Sequence, residues 1–252
     1  MNIFKKLMVG AALAASVMSV QAGTVNVGGV VWNPDAAQDF FSNLTMRQTI
    51  AADGSLSGYG FINTFNGTNE NTFCPNCEIT FQFSGFTPVG GTILPSSDGQ
   101  VINYTGGIIN VYVHADAGID KSDSTSMTQA NTGLNGGILW LQLAGHGIGA
   151  NNVSLVGTVT GSPETGQLGG LGQLDVIGGV AAGNFNTDSR TDGSDLSLTV
   201  GLNLFRPFNS PSFLDATGVG TLRGTSVPEP GSLALFGLGL LGAAMIRRRS
   251  SK

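Results

Sequence analysis

Two histidines, His114 and His146, are the residues best suited to acid–base chemistry. His114 falls on the polar side of an alternating segment, which is typical of a half-exposed surface residue. His146 follows an apolar segment within Ala-Gly-His-Gly, at a loop position of the kind that can host a site. The chain has no Gly-x-Ser-x-Gly nucleophile motif, and no spacing singles out the carboxylate pair that a glycosidase needs. We therefore predict structural roles for both histidines and no enzymatic activity.

The densest set of candidate metal ligands lies in residues 184–195, with the sequence NFNTDSRTDGSD. The oxygen-bearing side chains there are Asn184, Asn186, Asp188, Asp192 and Asp195. Calcium binds several hard oxygens on a short flexible loop. The EF-hand pattern fails, because Arg190 occupies a ligand position and no Glu follows at the required distance. Calcium is therefore one hypothesis, a solvated turn between strands is the favoured alternative, and no other cofactor is predicted.

Cys74 and Cys77, in Cys-Pro-Asn-Cys, are the only cysteines. In an oxidising compartment such a pair is expected to form a disulfide. A thioredoxin-type Cys-x-x-Cys would open a helix, whereas residues 78–83 alternate as a strand does. One pair also falls short of the four ligands of a structural zinc site. We favour a structural disulfide over redox or metal chemistry.

Short alternating segments must position these residues, since the body shows no long helical pattern. Residues 195–204 are the clearest example, because Leu and Val alternate with small or polar residues as on a half-buried strand. The other predicted strands span residues 24–32, 44–50, 56–62, 78–83, 101–104, 108–114, 138–143, 153–160 and 219–223. Trp140, in a nearly continuous apolar segment, is predicted to be buried.

The connections between these strands follow from turn-forming residues. Residues 52–54 predict a hairpin turn, and Gly106–Gly107 predict a second one. Residues 33–41 predict a short helix opened by Pro34. Residues 116–135 predict a long loop, and the glycine-rich residues 161–179 a crossover or irregular edge. Nine to eleven short strands predict one all-β domain over residues 23–226, an antiparallel, jelly-roll-like β-sandwich.

The charge of this body excludes one class of partner. Residues 23–227 contain five basic and fifteen acidic residues, a net charge near −10. Nucleic-acid binding requires Lys and Arg against the phosphates. We therefore predict no nucleic-acid partner, and the low charge density with abundant Gly, Ser, Thr and Asn favours a secreted matrix protein.

The N-terminus has the organisation of a signal peptide over residues 1–22. Lys5 and Lys6 precede an apolar region, residues 7–20, that is too short for a stable span. Small residues at the −3 and −1 positions predict cleavage by signal peptidase between Ala22 and Gly23. The body is therefore expected to be exported.

The C-terminal segment, residues 227–252, combines three parts in a fixed order. An extended triplet comes first, formed by Pro228, Glu229 and Pro230. The uncharged residues 232–246 follow, and as a helix they would span roughly 22 Å, a minimal transmembrane helix. The segment closes with the basic cluster Arg247, Arg248 and Arg249. Positive charge stays in the cytoplasm, so this end also places the body outside the cytoplasm, through an inner-membrane intermediate.

These three parts resemble the PEP-CTERM sorting signal of Gram-negative bacteria, over about a tenth of the chain. The resemblance implies recognition of Pro228, Glu229 and Pro230 by an exosortase-type transpeptidase. It also implies export to the cell surface or extracellular matrix, often alongside exopolysaccharide. The same C-terminal module occurs on ice-binding proteins, so it indicates a destination rather than an activity. Residues 73–81 also resemble a segment of other PEP-CTERM proteins.

Three functions are consistent with these observations. The first is an exported surface or matrix protein with a structural or adhesive role in biofilm or exopolysaccharide. The second is a sandwich that binds carbohydrate, or as a weaker alternative ice, with aromatic platforms drawn from Trp32, Tyr59, Tyr104, Tyr112 and Trp140. The third is a secreted hydrolase, which would require two carboxylates closing on one cleft. We favour the first.

Overall fold

The computed structural model describes residues 23–115, 137–162, 165–205 and 214–227. The predicted signal helix over residues 1–22, the predicted loop over 116–135 and the predicted transmembrane helix over 232–246 lie outside them. The helices in the described part of the chain are single turns, and none has the length or apolar character needed to cross a bilayer.

Strands dominate the described residues. The strands are β1 Val25–Val27, β2 Val30–Trp32, β3 Phe41–Ile50, β4 Leu56–Phe65, β5 Thr68–Asn69, β6 Cys77–Pro88, β7 Val101–Ala115, β8 Ile138–Gly145, β9 Val153–Thr160, β10 Gln167–Gly178, β11 Leu196–Phe205 and β12 Leu214–Arg223. Two single-turn helices accompany them, α1 Glu70–Phe73 and α2 Ala182–Phe185. The all-β prediction is confirmed.

The main sheet closes on itself as an antiparallel barrel with eight strand positions. Strands β3, β4, β6 and β7 pair in succession, and β10, β11 and β12 continue the order. Strand β12 then pairs with β3 over their full lengths, from Leu214 opposite Ile50 to Arg223 opposite Phe41. The predicted sandwich is therefore not confirmed: one sheet curls until its edges meet, and among the described residues the only other sheet is the two-stranded β1–β2 hairpin.

Strands β8 and β9 share the remaining wall position end to end. Strand β8 pairs with residues 108–113 of β7, and β9 pairs with residues 101–105 of the same strand. Both also pair with β10. Residues 146–152 form the loop between β8 and β9. Because this loop interrupts the wall, it places His146 at the outside of the barrel.

The barrel interior is apolar because alternate residues of every strand point inward. Strand β3 shows strict alternation of half-buried and buried residues along its ten positions. Eight strands enclose only enough space for side chains or one small ligand. Large rings are accommodated by glycines: an added Cβ at Gly58 would lie 2.4 Å from the Phe83 ring, and one at Gly60 would lie 2.6 Å from Phe81.

One end of the barrel is closed by an aromatic plug. Ring centroids within it lie 4.7–6.4 Å apart. The aromatic plug consists of Trp32, Phe40, Phe65, Phe73, Trp140 and Phe185. Trp140 is buried, as predicted, because a bulge in the β7–β8 pairing sets it between the paired Leu139 and Leu141. The β1–β2 hairpin covers this end, where the Trp140 Nε1–H donates to the carbonyl oxygen of Val27.

Four local predictions are corrected. Residues 24–32 form a hairpin around Gly28 and Gly29, both with positive φ, rather than one bulged strand. Residues 33–40 form turns rather than a helix. Gly106 and Gly107 lie within the continuous strand β7, where the Phe86 ring covers Gly107. Residues 167–178 form the wall strand β10, because its inward glycines leave room for neighbouring side chains.

Candidate functional site

The segment that leads from the last wall strand to the C-terminal triplet is held against the plugged end of the barrel. Strand β12 ends at Arg223, and residues 224–227 continue without regular structure. Gly224 and Phe40 exchange backbone hydrogen bonds of 2.8 and 3.0 Å. Since an added Cβ at Gly224 would lie 2.7 Å from the Asp195 carbonyl oxygen, only glycine fits this path without displacement.

Asp39 and Trp32 hold Ser226. The Ser226 backbone N–H donates to the Asp39 carboxylate at 2.8 Å, and its hydroxyl donates to the same group at 2.8 Å. The Trp32 Nε1–H donates to that hydroxyl at 2.9 Å. Ser226 is 8% exposed. The Ser226 hydroxyl is therefore satisfied within the fold as both donor and acceptor, and Asn66 donates a third bond to Asp39 at 3.1 Å.

Asn184 holds the next residue through two hydrogen bonds. The Val227 backbone N–H donates to the Asn184 carbonyl oxygen at 2.8 Å, and the Asn184 side-chain amide donates to the Val227 carbonyl oxygen at 3.0 Å. The Thr225 hydroxyl donates to the Ser189 hydroxyl at 2.6 Å. We call Trp32, Asp39 and Asn184 the exit clamp, because they fix the point at which the chain leaves the barrel.

The loop that carries Asn184 is organised by a buried carboxylate. Asp195 is 1% exposed and accepts backbone N–H groups from Val176, Thr187 and Asp188 at 2.5–2.7 Å. Charge-assisted bonds of this kind are stronger than neutral ones. Asp195 thus ties the loop over residues 184–195 to β10, and through Asn184 it supports the exit clamp.

Four of the five calcium candidates, all except Asp188, make side-chain hydrogen bonds to other residues of the fold. The Asn186 side-chain amide donates to the Val176 carbonyl oxygen. Asp192 accepts from the Ser194 hydroxyl at 2.6 Å, and this bond lowers the pKa of Asp192. Within the described ranges no three His, Cys, Asp or Glu side chains cluster as metal ligands. Calcium binding stays a prediction without geometric support, because the Asp195 oxygens already face backbone donors.

His146 serves as a link between loops. Its Nδ1 lies 2.8 Å from an Asp175 carboxylate oxygen, and its Nε2 lies 3.1 Å from the Asp192 carbonyl oxygen. Both ring nitrogens therefore face oxygen acceptors. His114 is buried, with Nε2 2.9 Å from the Thr80 hydroxyl, so its predicted half-exposure is wrong. The geometry gives each ring a structural partner.

The cysteine pair and the aromatic residues have clear positions. Cys74 and Cys77 form a disulfide that joins the end of α1 to the first residue of β6. Of the five proposed aromatic platforms, Trp32, Tyr104 and Trp140 are buried, and so cannot stack on an external sugar. Tyr59 and Tyr112 are half-buried on the wall.

Both ends of the described body lie at the plugged end. One residue separates Gly23 from the start of β1. The β1–β2 hairpin lies against the first residues of β6 and β8, since Gly29 approaches Cys77 and Gly28 approaches Ile138. Val227 leaves beside Asn184 of α2. The exit clamp was missed from sequence, since Asp39 and Ser226 are 187 residues apart and no local pattern pairs them.

Comparison with known proteins identifies the clamped segment. No curated protein and no solved structure shows significant similarity to the chain. One family model, described as the PEP-CTERM protein-sorting motif, matches residues 226–249. The match begins at Ser226, the residue held by Asp39 and Trp32. The chain therefore carries a PEP-CTERM sorting motif, which implies processing by an exosortase and export toward the cell surface or extracellular space.

Proposed function

We propose that the protein is a non-catalytic structural or adhesive component of the cell surface or exopolysaccharide matrix. One observation supports this proposal: the sorting motif starts at the exit clamp, at the same end of the barrel as Gly23. During sorting the plugged end would face the inner membrane, with residues 232–246 as a transient anchor. The opposite end, with the loops at residues 51–55 and 89–100, would face outward.

The positions of the polar side chains support a non-catalytic role. Both nitrogens of His146 lie within hydrogen-bond distance of protein oxygens, and Asp195 accepts three backbone N–H groups. A general base needs a free nitrogen or oxygen within reach of a substrate proton. Each described wall strand of the barrel also pairs on both sides, which removes the long open edges through which secreted copies could aggregate.

A deletion strain of the host, complemented with the full chain, tests this proposal. One variant replaces Pro228, Glu229 and Pro230 by alanine and leaves the apolar residues 232–246 and the three arginines intact. We expect the unaltered chain to remain in the washed matrix, the variant to stay with membranes, and the matrix of the deletion strain to lose cohesion. Full matrix cohesion without the protein would overturn the structural role, while release of the variant to the medium would overturn sorting by the triplet.

Carbohydrate binding is the second candidate, favoured by one feature of the outer wall. Tyr59 of β4 is opposite Gln82 of β6, which is opposite Asn110 of β7. Asn110 accepts a hydrogen bond from Gln142 of β8. A ring beside a row of amides can stack on a sugar and bond its hydroxyls. Retention of the protein by host exopolysaccharide should fall for Tyr59→Ala and persist for Tyr59→Phe; equal retention of both variants would exclude this site.

A further inference from the structure

Two adjoining cavities follow the axis of the barrel. The larger is about 40 Å³ and the smaller about 20 Å³. Gln48, Leu155 and Val200 line both, so the cavities meet at these residues. Apart from Gln48, every side chain around the larger cavity is apolar, and Tyr104 adds one hydroxyl to the smaller. None of the lining side chains carries a formal charge.

Gln48 is a polar residue at an inward position of β3. Its cross-strand neighbours are Gly58 and Ala216, which are too small to cover its amide. The side chain is 7% exposed and makes no hydrogen bond to the described residues, and its amide is not fully enclosed by protein atoms but borders the cavities. A buried amide without a partner is costly, and an apolar residue of equal size would avoid that cost. The position of Gln48 thus calls for a partner that enters the cavity.

Tyr104 presents a second such group. It is 3% exposed, and its ring lies over Gly157, where an added Cβ would be 3.3 Å away. Its hydroxyl has no hydrogen-bond partner in the described part of the chain. Burial raises the pKa of Tyr104 to about 12, so the phenol stays protonated at neutral pH and remains a donor. Two unpaired polar groups therefore border one cavity.

We propose that the barrel interior is a binding site for one small neutral organic molecule, an alcohol, ketone or lactone with an apolar body. The apolar body would fill the larger cavity, and its oxygen would bond the Gln48 amide and the Tyr104 hydroxyl. An ion does not fit, because no lining charge offsets its desolvation. At 10–15 Å³ for each water-sized unit, the two cavities hold about four to six such units.

The geometry also indicates the route of entry. The aromatic plug closes one end of the barrel, whereas the smaller cavity lies toward the other. Its lining residues Leu56, Ile102 and Leu168 are the first or second residues of β4, β7 and β10. A ligand that enters there would leave its oxygen beside Tyr104 and Gln48 and its apolar part deeper in the barrel.

Methyl NMR of the full chain with cyclopentanone as the probe tests this site, and cyclopentane is the apolar control. We expect saturable shifts of the Leu44, Leu143 and Leu198 methyls and none of the exposed Leu171 methyls. Cyclopentanone should bind more tightly than cyclopentane. No saturable shift, or equal affinity for both probes, would overturn the proposal, as would waters that occupy the cavities and are not displaced.

Variants that keep the shape of the interior separate ligand binding from folding. Gln48→Met and Tyr104→Phe should each weaken cyclopentanone binding about five- to tenfold, which corresponds to the loss of one hydrogen bond. Cyclopentane should bind both variants as well as it binds the unaltered chain. Gln142→Met makes the same substitution on the outer wall and should leave both affinities unchanged. Unaltered cyclopentanone affinity in Gln48→Met would refute the role of Gln48.

Discussion

Asp39→Ala should loosen the start of the sorting segment and destabilise the barrel end that holds it. The carboxylate accepts two bonds from Ser226 and one from Asn66. Bonds to a charged group contribute about 1.5–3 kcal/mol each when buried, and Asp39 is only half-buried. We therefore expect a loss of about 2–4 kcal/mol in the free energy of unfolding. For a body of this size, this lowers Tm by about 4–16 °C.

Calorimetry and urea unfolding of the chain without its signal peptide provide the assay. Asp35→Ala is the matched control, because Asp35 is exposed in the same loop, and it should change stability by less than about 0.5 kcal/mol. The double variant with Ser226→Ala completes a cycle in which we expect a coupling energy of about 1–3 kcal/mol. Additive effects of Asp39→Ala and Ser226→Ala would refute the clamp, whatever the size of each.

Three further outcomes follow from single residues. Asp195→Asn should lower the free energy of unfolding by about 2–4 kcal/mol, because its new amide N–H groups would face backbone donors. The control Asp192→Asn, at an exposed position, should change that free energy by less than about 1 kcal/mol in the same urea-unfolding experiment. Gly224→Ala should cost about 1–3 kcal/mol by overpacking against the Asp195 carbonyl and should lower Tm. Burial holds the pKa of Tyr104 at about 12 in the folded protein against an unfolded value of 10. Its contribution to stability is therefore complete below pH 10 and decreases by about 2–3 kcal/mol as the pH rises to 12; Tyr104→Phe should remove that slope, and Tyr59→Phe should retain it.

The alternation of apolar and polar residues predicted most of the strands, but it did not predict which strands pair with each other. Strands β9 and β11 follow their predicted ranges closely, because alternation is a property of consecutive residues. Closure depends on the pairing of residues 41–50 with residues 214–223, and nothing local distinguishes that pairing from an edge strand of a sandwich. The glycines show the same limit: Gly106 and Gly107 suggest a turn, yet both lie within β7, where Gly107 leaves room for the Phe86 ring and Gly106 lies close to the Gly85 carbonyl oxygen.

The site shows the same division between local and long-range information. The sorting motif and the cysteine pair are contiguous, and both predictions are confirmed. The residues that hold the motif, Asp39 and Asn184, belong to segments predicted as a helix and as a solvated turn with calcium as the weaker hypothesis. Their partners come from distant parts of the chain that only the closure of the barrel brings together. Gln48 carried a usable signal, since it is a polar residue on the apolar side of an otherwise regular strand.

The clamp and the closed barrel together determine how a force applied to the C-terminal tail would reach the fold. Strand β12, to which the tail is joined, pairs with β11 on one side and β3 on the other, so it is not an edge strand that could be peeled away alone. Before tension reaches β12 it must break the bonds of Ser226 to Asp39 and of Val227 to Asn184. Because these partners come from distant parts of the chain, the force is distributed over the plugged end. Weakening the clamp should therefore make the tail easier to pull away from the plugged end of the barrel, while the barrel itself remains folded.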